Sequence, residues 1–356
     1  MTGYEYGNTR LRAQRGRLLD GANYRELFAI GTTERLLGAL SATPYGPDVE
    51  RTLVRHDAFH QLDEAVRSHL ARSLRAIRRF YEGEARAGVD LLLGRWDLRN
   101  IRSIIRLKAR PSVYEDAEPM LVAAGALDEA ALAELAGQPS LRSVVELMVA
   151  WDLPSRPAAR RTLQEWPRYE TTGDPVFLEN ALNHAWAAHT ADALDGWVGT
   201  ELEVVLRAEV DQINLLTALR LRQTGVERTL DAEAHEDDTY LPGGLMRPAL
   251  LEQVRRTSTP DDLVAILARQ PLPADWRAAL TVWSANQDLS ALSGGLERAV
   301  ARNAIGLFGR GDPLGIAIPI AFTYAKECEA RNLRLLGKSI THHIRWDDTE
   351  PELYPW

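Results

Sequence analysis

Three stretches of this chain repeat one pattern at long and nearly equal intervals. No other feature narrows the fold as much. The stretches are Asp97-Leu98-Arg99-Asn100-Ile101-Arg102-Ser103-Ile104-Ile105-Arg106, Asp211-Gln212-Ile213-Asn214-Leu215-Leu216-Thr217-Ala218-Leu219-Arg220 and Glu329-Ala330-Arg331-Asn332-Leu333-Arg334-Leu335-Leu336-Gly337-Lys338. In each, an acid stands three residues before the Asn and Ile or Leu follows it. A cation stands six residues after it, at Arg106, Arg220 and Lys338. The Asn positions are 114 and 118 residues apart. Self-similarity at a fixed period marks a body built from copies of one unit, and solenoid units span only about 20 to 50 residues. A generic helical adaptor with stacked short repeats is therefore the weaker reading.

A second match precedes each Asn. Leu62-Asp63-Glu64-Ala65-Val66, Leu178-Glu179-Asn180-Ala181-Leu182 and Leu292-Ser293-Gly294-Gly295-Leu296 begin 38, 36 and 40 residues upstream. A third follows the first two copies, Gly125 with Leu132 and Gly244 with Leu251. A helix-start residue comes 15 positions after each Gly, at Ser140 and Thr259. The third copy shows no such part before residue 356, but the N-terminal segment has its features: Gly21, an apolar stretch from Tyr24 to Ile30, then Thr32-Thr33. The expectation is a closed body of three similar helical bundles with approximate threefold symmetry, ring-like or funnel-like. Repeat 1 is residues 45–153 and repeat 2 is 154–270. Repeat 3 is 271–340 completed by 1–44. Residues 341–356 form a flexible acidic tail.

Periodicity sets the class as all-α. Leu202, Val205, Leu206, Val210 and Ile213 line one helical face, as do Val66, Leu70, Leu74 and Ile77. Period-2 alternation is almost absent. Prolines mark stops at 44 and 47, 111, 154 and 157, 167, 175, 271 and 273, and 313. Joints are expected over Leu153 to Pro175 and over Asp231 to Gly244, which holds Asp231, Glu233, Glu236, Asp237 and Asp238. On a helix the acid and the Asn of each motif share a face. Half-buried, such groups tie elements together by hydrogen bonds, so the motif reads as a repeated packing signature.

Little else carries chemistry. A net charge of −8 argues against broad nucleic-acid binding. A single cysteine, Cys328, gives no disulfide framework and no activating partner. No apolar run approaches the ~20 residues of a spanning helix; the longest, Ile316 to Phe322, is short and holds Pro319. Met1 to Arg17 lacks the apolar core of a secretory signal. His56 and His60 stand four apart without further ligands, His184 and His189 have the wrong spacing, and no metal is expected. Gly337-Lys338-Ser339 imitates a P-loop, yet Asn332 stands where its first Gly belongs and the approach reads as helix, so no nucleotide is expected. Arg10, Arg12, Arg15 and Arg17 form a basic segment, read as a solvated face with anionic lipid as the alternative. The nine tryptophans read mainly as core or inter-helix anchors.

In order and spacing, a set of segments points to one family. They are Tyr6-Gly7-Asn8-Thr9-Arg10-Leu11-Arg12-Ala13 with Leu18-Leu19, Leu91-Leu92-Leu93 before the first motif, and Glu209-Val210 before the second. The last are Asp312-Pro313-Leu314 and then Tyr324-Ala325-Lys326-Glu327-Cys328 leading into the third. From about Tyr6 to Lys338 the chain resembles the central-stalk subunit of V/A-type ATPases, named C in prokaryotes and d in eukaryotes, the C/AC39 family. It departs in having Gly7 where a larger residue is commoner, and in its tail beyond Lys338. The resemblance implies a funnel-shaped, three-domain helical socket on the cytoplasmic face of the membrane. Such a socket couples central-shaft subunits to the proteolipid rotor ring and passes torque between them. It has no catalytic site, cofactor or nucleotide, and meets the membrane through the ring or anionic lipid.

Overall fold

Polar residues start many of these helices by accepting from backbone N–H groups that lack intrahelical partners. Asp20, Thr32, Asp57, Asp128, Ser140 and Thr259 each take such a bond at a helix start. The computed structural model describes residues 3–52, 57–110, 121–151, 156–224 and 239–356, with no strand among them. Its α-helices are α1 Glu5–Arg15, α2 Gly21–Ala29, α3 Thr33–Ser41, α4 Gly46–Thr52, α5 Ala58–Arg78, α6 Gly83–Ala109, α7 Glu129–Ala136, α8 Leu141–Ala150, α9 Arg156–Gln164 and α10 Trp166–Thr172. They continue with α11 Val176–Leu194, α12 Glu201–Thr224, α13 Pro248–Arg256, α14 Pro260–Ala268, α15 Ala274–Asn286, α16 Leu289–Ile305, α17 Leu307–Arg310, α18 Ala317–Thr341 and α19 Trp346–Thr349. His56, Pro111, Pro154 and the acids Asp231, Glu233, Glu236, Asp237 and Asp238 lie outside the described residues.

The chain divides into two compact units, Met1–Leu182 with Ala304–Trp356, and Asn183–Asn303. In the first, α18 is the core element and is buried along most of its length. α1, α2, α3, α5, α6 and α17 pack on it. Pro319 sits in its first turn, where the missing N–H costs no intrahelical bond. Leu62, Val66, Leu70, Leu74 and Ile77 bury the face of α5 read from the sequence. Gly337-Lys338-Ser339 lies inside α18, with Gly337 buried against Leu62, and not in a phosphate-cradling loop. In the second unit, Leu202, Val205, Leu206 and Val210 bury one face of α12. Ile213 packs on the cluster of Ala187, Val210 and Leu241. Helix α13 lies on α12 through Leu251 and Val254, and α14 pairs with α15.

Residues 341–356 are not the flexible acidic end expected from composition. Helix α18 stops with His343 at φ 55°, and the His343 and Ile344 N–H groups donate to the Ile340 and Ser339 carbonyls. This Schellman turn sends the chain back along the helix it left. Helix α19 and a 3-10 turn, Glu350–Glu352, follow, and Thr349 and Leu353 are buried. The charge pattern reads as a solvated tail because Asp347, Asp348 and Glu352 face outward, while Thr349 and Leu353 face in and Ile344 and Trp356 stay largely exposed.

Gly7 answers the departure noted in the first segment. A Cβ there would lie 2.3 Å from Cε1 of the buried Tyr81. The Tyr81 hydroxyl donates to Asn8 Oδ1 at 2.7 Å, and Asn8 Nδ2 donates to the Pro313 and Gly315 carbonyls at 2.9 Å each. Gly7 thus lets one aromatic ring orient the asparagine that ties α1 to the turn before α18. Overpacking at such a point costs about 1–3 kcal/mol. Gly7→Ala should lower the unfolding free energy by that amount in urea titration, and an unchanged midpoint would refute this account of the glycine.

Candidate functional site

The acid and the Asn of each motif stand on one face of a long helix: α6 for Asp97 and Asn100, α12 for Asp211 and Asn214, α18 for Glu329 and Asn332. All three Asn are buried. Each exchanges two hydrogen bonds with the backbone N–H and carbonyl of a single residue. Asn100 Nδ2 donates to the Val122 carbonyl at 2.8 Å and its Oδ1 accepts from the Val122 N–H at 2.9 Å. Asn214 does the same with Leu241 at 2.9 and 2.7 Å. Asn332 does it with Tyr354 at 3.1 and 2.7 Å.

The acid catches the segment before the next helix. Asp97 accepts from the Ala126 N–H at 2.7 Å and the Leu127 N–H at 3.0 Å, just ahead of Asp128, which caps α7. Asp211 accepts from Leu245 at 3.1 Å and Met246 at 2.8 Å, just ahead of α13. Glu329 accepts from the Leu19 N–H at 2.8 Å, just ahead of Asp20, which caps α2. The shared glycines have a steric cause. A Cβ on Gly125 or Gly244 would lie 2.3 Å from the Asp97 or Asp211 carboxylate.

The third acid sits in a different electrostatic setting. Tyr45 donates its hydroxyl to Glu329 Oε1 at 2.6 Å, and Lys326 is paired with the same oxygen. Lys326 lies over the Tyr45 ring, which stacks on His69 at 3.9 Å. His69 Nδ1 is 3.1 Å from Asp48, which also pairs with Arg72. Burial, aided by the Lys326 ammonium, pushes His69 down to about 3, so it is neutral. Burial also pulls Lys326 below its ordinary value, opposed by Glu329, and raises Tyr45 well above its own.

The cations of the motif are not part of these clasps. Arg106 reaches Glu179 at 2.6 and 2.7 Å, while Arg220 and Lys338 are exposed. A second repeated contact is absent from the sequence reading. Arg102 and Arg334, each two residues after the Asn, pair with Glu179 and Asp63, each one residue after the Leu of the upstream match. Their common register was the available signal. The corresponding positions for the remaining pair are Leu216, two residues after Asn214, and Ser293, one residue after Leu292, and neither carries a charge. Arg95 and Glu327, both five residues before their Asn, also meet, at 2.7 Å, with Trp96 Nε1 donating to Glu327 at 2.8 Å. Among the described residues no His, Cys, Asp or Glu cluster is arranged to hold a metal, and no helix is long and apolar enough to cross a membrane.

Burial pushes the Asp97 carboxyl up to about 6 against the pull of its two N–H donors, and does the same for Asp211. Both groups bind a proton more tightly folded than unfolded, where they titrate near 3.8. Their contribution to stability is complete below that value and is lost as pH rises through about 6. Asp97→Asn and Asp211→Asn remove the titration. Urea unfolding should show wild-type stability falling relative to each variant between about pH 4 and 6, by up to about 3 kcal/mol per site; a difference flat in pH would contradict the assignment. Asn100→Ala and Asn214→Ala each strip both partners from a buried peptide and should cost about 2–4 kcal/mol, whereas a loss under about 1 kcal/mol would show that water serves the peptide equally well.

The family model described as ATP synthase (C/AC39) subunit matches residues 7–350 of this chain. The C subunit of the V-type ATP synthase of Deinococcus radiodurans is 25% identical over 98% of this chain and 91% of its own length. The C subunit of the A-type ATP synthase of Halorubrum lacusprofundi is 28% identical over 98% of this chain and 97% of its own. Its V-type counterpart from Thermus thermophilus is 28% identical over 94% and 93%.

Proposed function

Since this chain belongs to the ATP synthase (C/AC39) subunit family and is therefore a V/A-type ATPase subunit, we propose that it is the non-catalytic rotor element joining the central shaft to the proteolipid ring. It passes torque between them during ATP-driven or ATP-forming ion transport, at the cytoplasmic face of the membrane. It performs this as a body of three copies of one helical unit, the third completed by the N-terminal helices.

The observation that carries the reading is the clasp. One asparagine-to-peptide exchange and one acid-to-backbone contact recur on three long helices, each time just before the start of a further helix. The packing of α2 and α3 on α18 supports closure of the third copy by residues 1–44. The pairing of Arg95 with Glu327 at one shared register supports the equivalence of α6 and α18 within the first unit. Mechanically, a torque carrier must resist shear, and close-packed helices with low compressibility do so. Buried side-chain bonds that fix each loop to its helix remove the hinges through which such a body would yield.

A tagged chain recovered from mildly solubilised host membranes should bring down a proteolipid ring together with shaft and catalytic-head subunits, read by mass spectrometry. Recovery of soluble partners alone, under conditions where the ATPase complex survives, would remove the coupling role. In complexes assembled without this chain, ATP hydrolysis by the head should persist while ion translocation is lost; translocation at the full rate would overturn the proposal.

A further inference from the structure

Asn332 holds Tyr354 as Asn100 holds Val122 and Asn214 holds Leu241, although Tyr354 belongs to no loop between helices of the same copy. In the first two copies, the chain runs six residues from the held peptide to the N-cap of the next helix, Val122 to Asp128 and Leu241 to Arg247. In the third, the helix at that place is α2, and the approach is made by contact. The Trp356 ring lies on Gly21, where a Cβ would come within 2.8 Å of it, and meets Tyr24 edge-on at 5.8 Å. Further contacts lie along the same segment. Arg331 covers the Tyr354 ring at 4.7 Å, and Phe28 packs on Trp346 at 5.2 Å. Arg25 lies over Trp346 at 5.6 Å and pairs with Glu350 at 2.8 Å. Every partner is on α18 or α2.

We propose that residues 345–356 are an intramolecular peptide ligand, held on α18 and α2 through the aromatic–proline–aromatic sequence Tyr354-Pro355-Trp356, and that this docking holds α2 to α18. It rests on the three-copy reading for the equivalence of Tyr354 with Val122 and Leu241. The site recognises backbone at 354 through a carboxamide and aromatic surface at 356 through a glycine. The specificity is for an extended peptide whose last ring can reach Gly21.

Amide exchange on the full chain tests this without relying on a variant that folds. The Tyr354 N–H should exchange at least about 100-fold slower than an unprotected amide, and exchange at the unprotected rate overturns the proposal. Tyr354→Pro removes the donor and Trp356→Ala removes the ring. Each should speed exchange in α2 by about tenfold or more while leaving α7 and α13 unchanged; no change in α2, or an equal change in all three, overturns it. A labelled synthetic peptide of residues 342–356 should bind saturably to a chain ending at Thr341, and the same peptide with Tyr354→Pro should bind at least about tenfold more weakly. If the shortened chain does not fold, the full-chain exchange decides. A protected Tyr354 beside unprotected Val122 and Leu241 amides would remove the three-copy reading and leave the strap standing.

Discussion

A residue with a buried backbone needs one acceptor for its N–H and one donor for its carbonyl. A carboxamide side chain supplies both from a single planar group. Asn100, Asn214 and Asn332 do this for Val122, Leu241 and Tyr354, and most of the local architecture follows. Once the peptide is fixed, the acid three residues earlier on the same helical face meets the N–H groups just before the next helix. That fixes where Asp128, Arg247 and Asp20 stand at their helix starts, and therefore where α7, α13 and α2 begin.

This explains why the helix-side half of each clasp was legible and its other half was not. The acid and the Asn act through side chains, so their identities have to recur and the repeat stands out in the sequence. The partner acts through its backbone, so Val, Leu and Tyr serve equally and leave no common signature. The glycines at 125 and 244 were visible because a carboxylate occupies the space of their Cβ. Residues 341–356 read as a solvated end because Asp347, Asp348 and Glu352 dominate their composition, while Leu353 and the backbone at Tyr354 do the holding. The pairs Arg102–Glu179 and Arg334–Asp63 were overlooked for another reason. They occur at two positions out of three, and a motif defined by strict recurrence passes over them.

The third acid shows how one scaffold tolerates two solutions to a buried carboxylate. Asp97 and Asp211 each receive two backbone N–H groups, and burial still raises both to about 6. Glu329 receives one, from Leu19, and gains the Tyr45 hydroxyl and the Lys326 ammonium instead. A buried charge pair is an uncertain source of stability against a well-packed apolar alternative, but removing either partner is strongly unfavourable. Its use at this point is geometric. Through Tyr45, Asp48 and His69, the Glu329 site ties α18 to the residue just before α4, to α4 itself and to α5. An apolar patch would hold these elements together while leaving their register free to slide. The directional bonds fix it.

A body that carries torque is only as stiff as its weakest junction. In the proposed coupling role, the loops of the first two copies join held peptide and next helix covalently, within six residues. At the third, Trp356 and Gly21 are joined by contact alone. The distribution of binding groups matches that difference. The third junction has the asparagine exchange and the acid contact of the others, and adds aromatic packing at Trp346, Tyr354 and Trp356 and the Arg25–Glu350 pair. Exposed ion pairs contribute little, about 0–1 kcal/mol, so the aromatic contacts, the asparagine exchange and the acid contact must bear the load there. If the rotor yields anywhere in this subunit, this seam is where separation needs no bond of the chain to stretch.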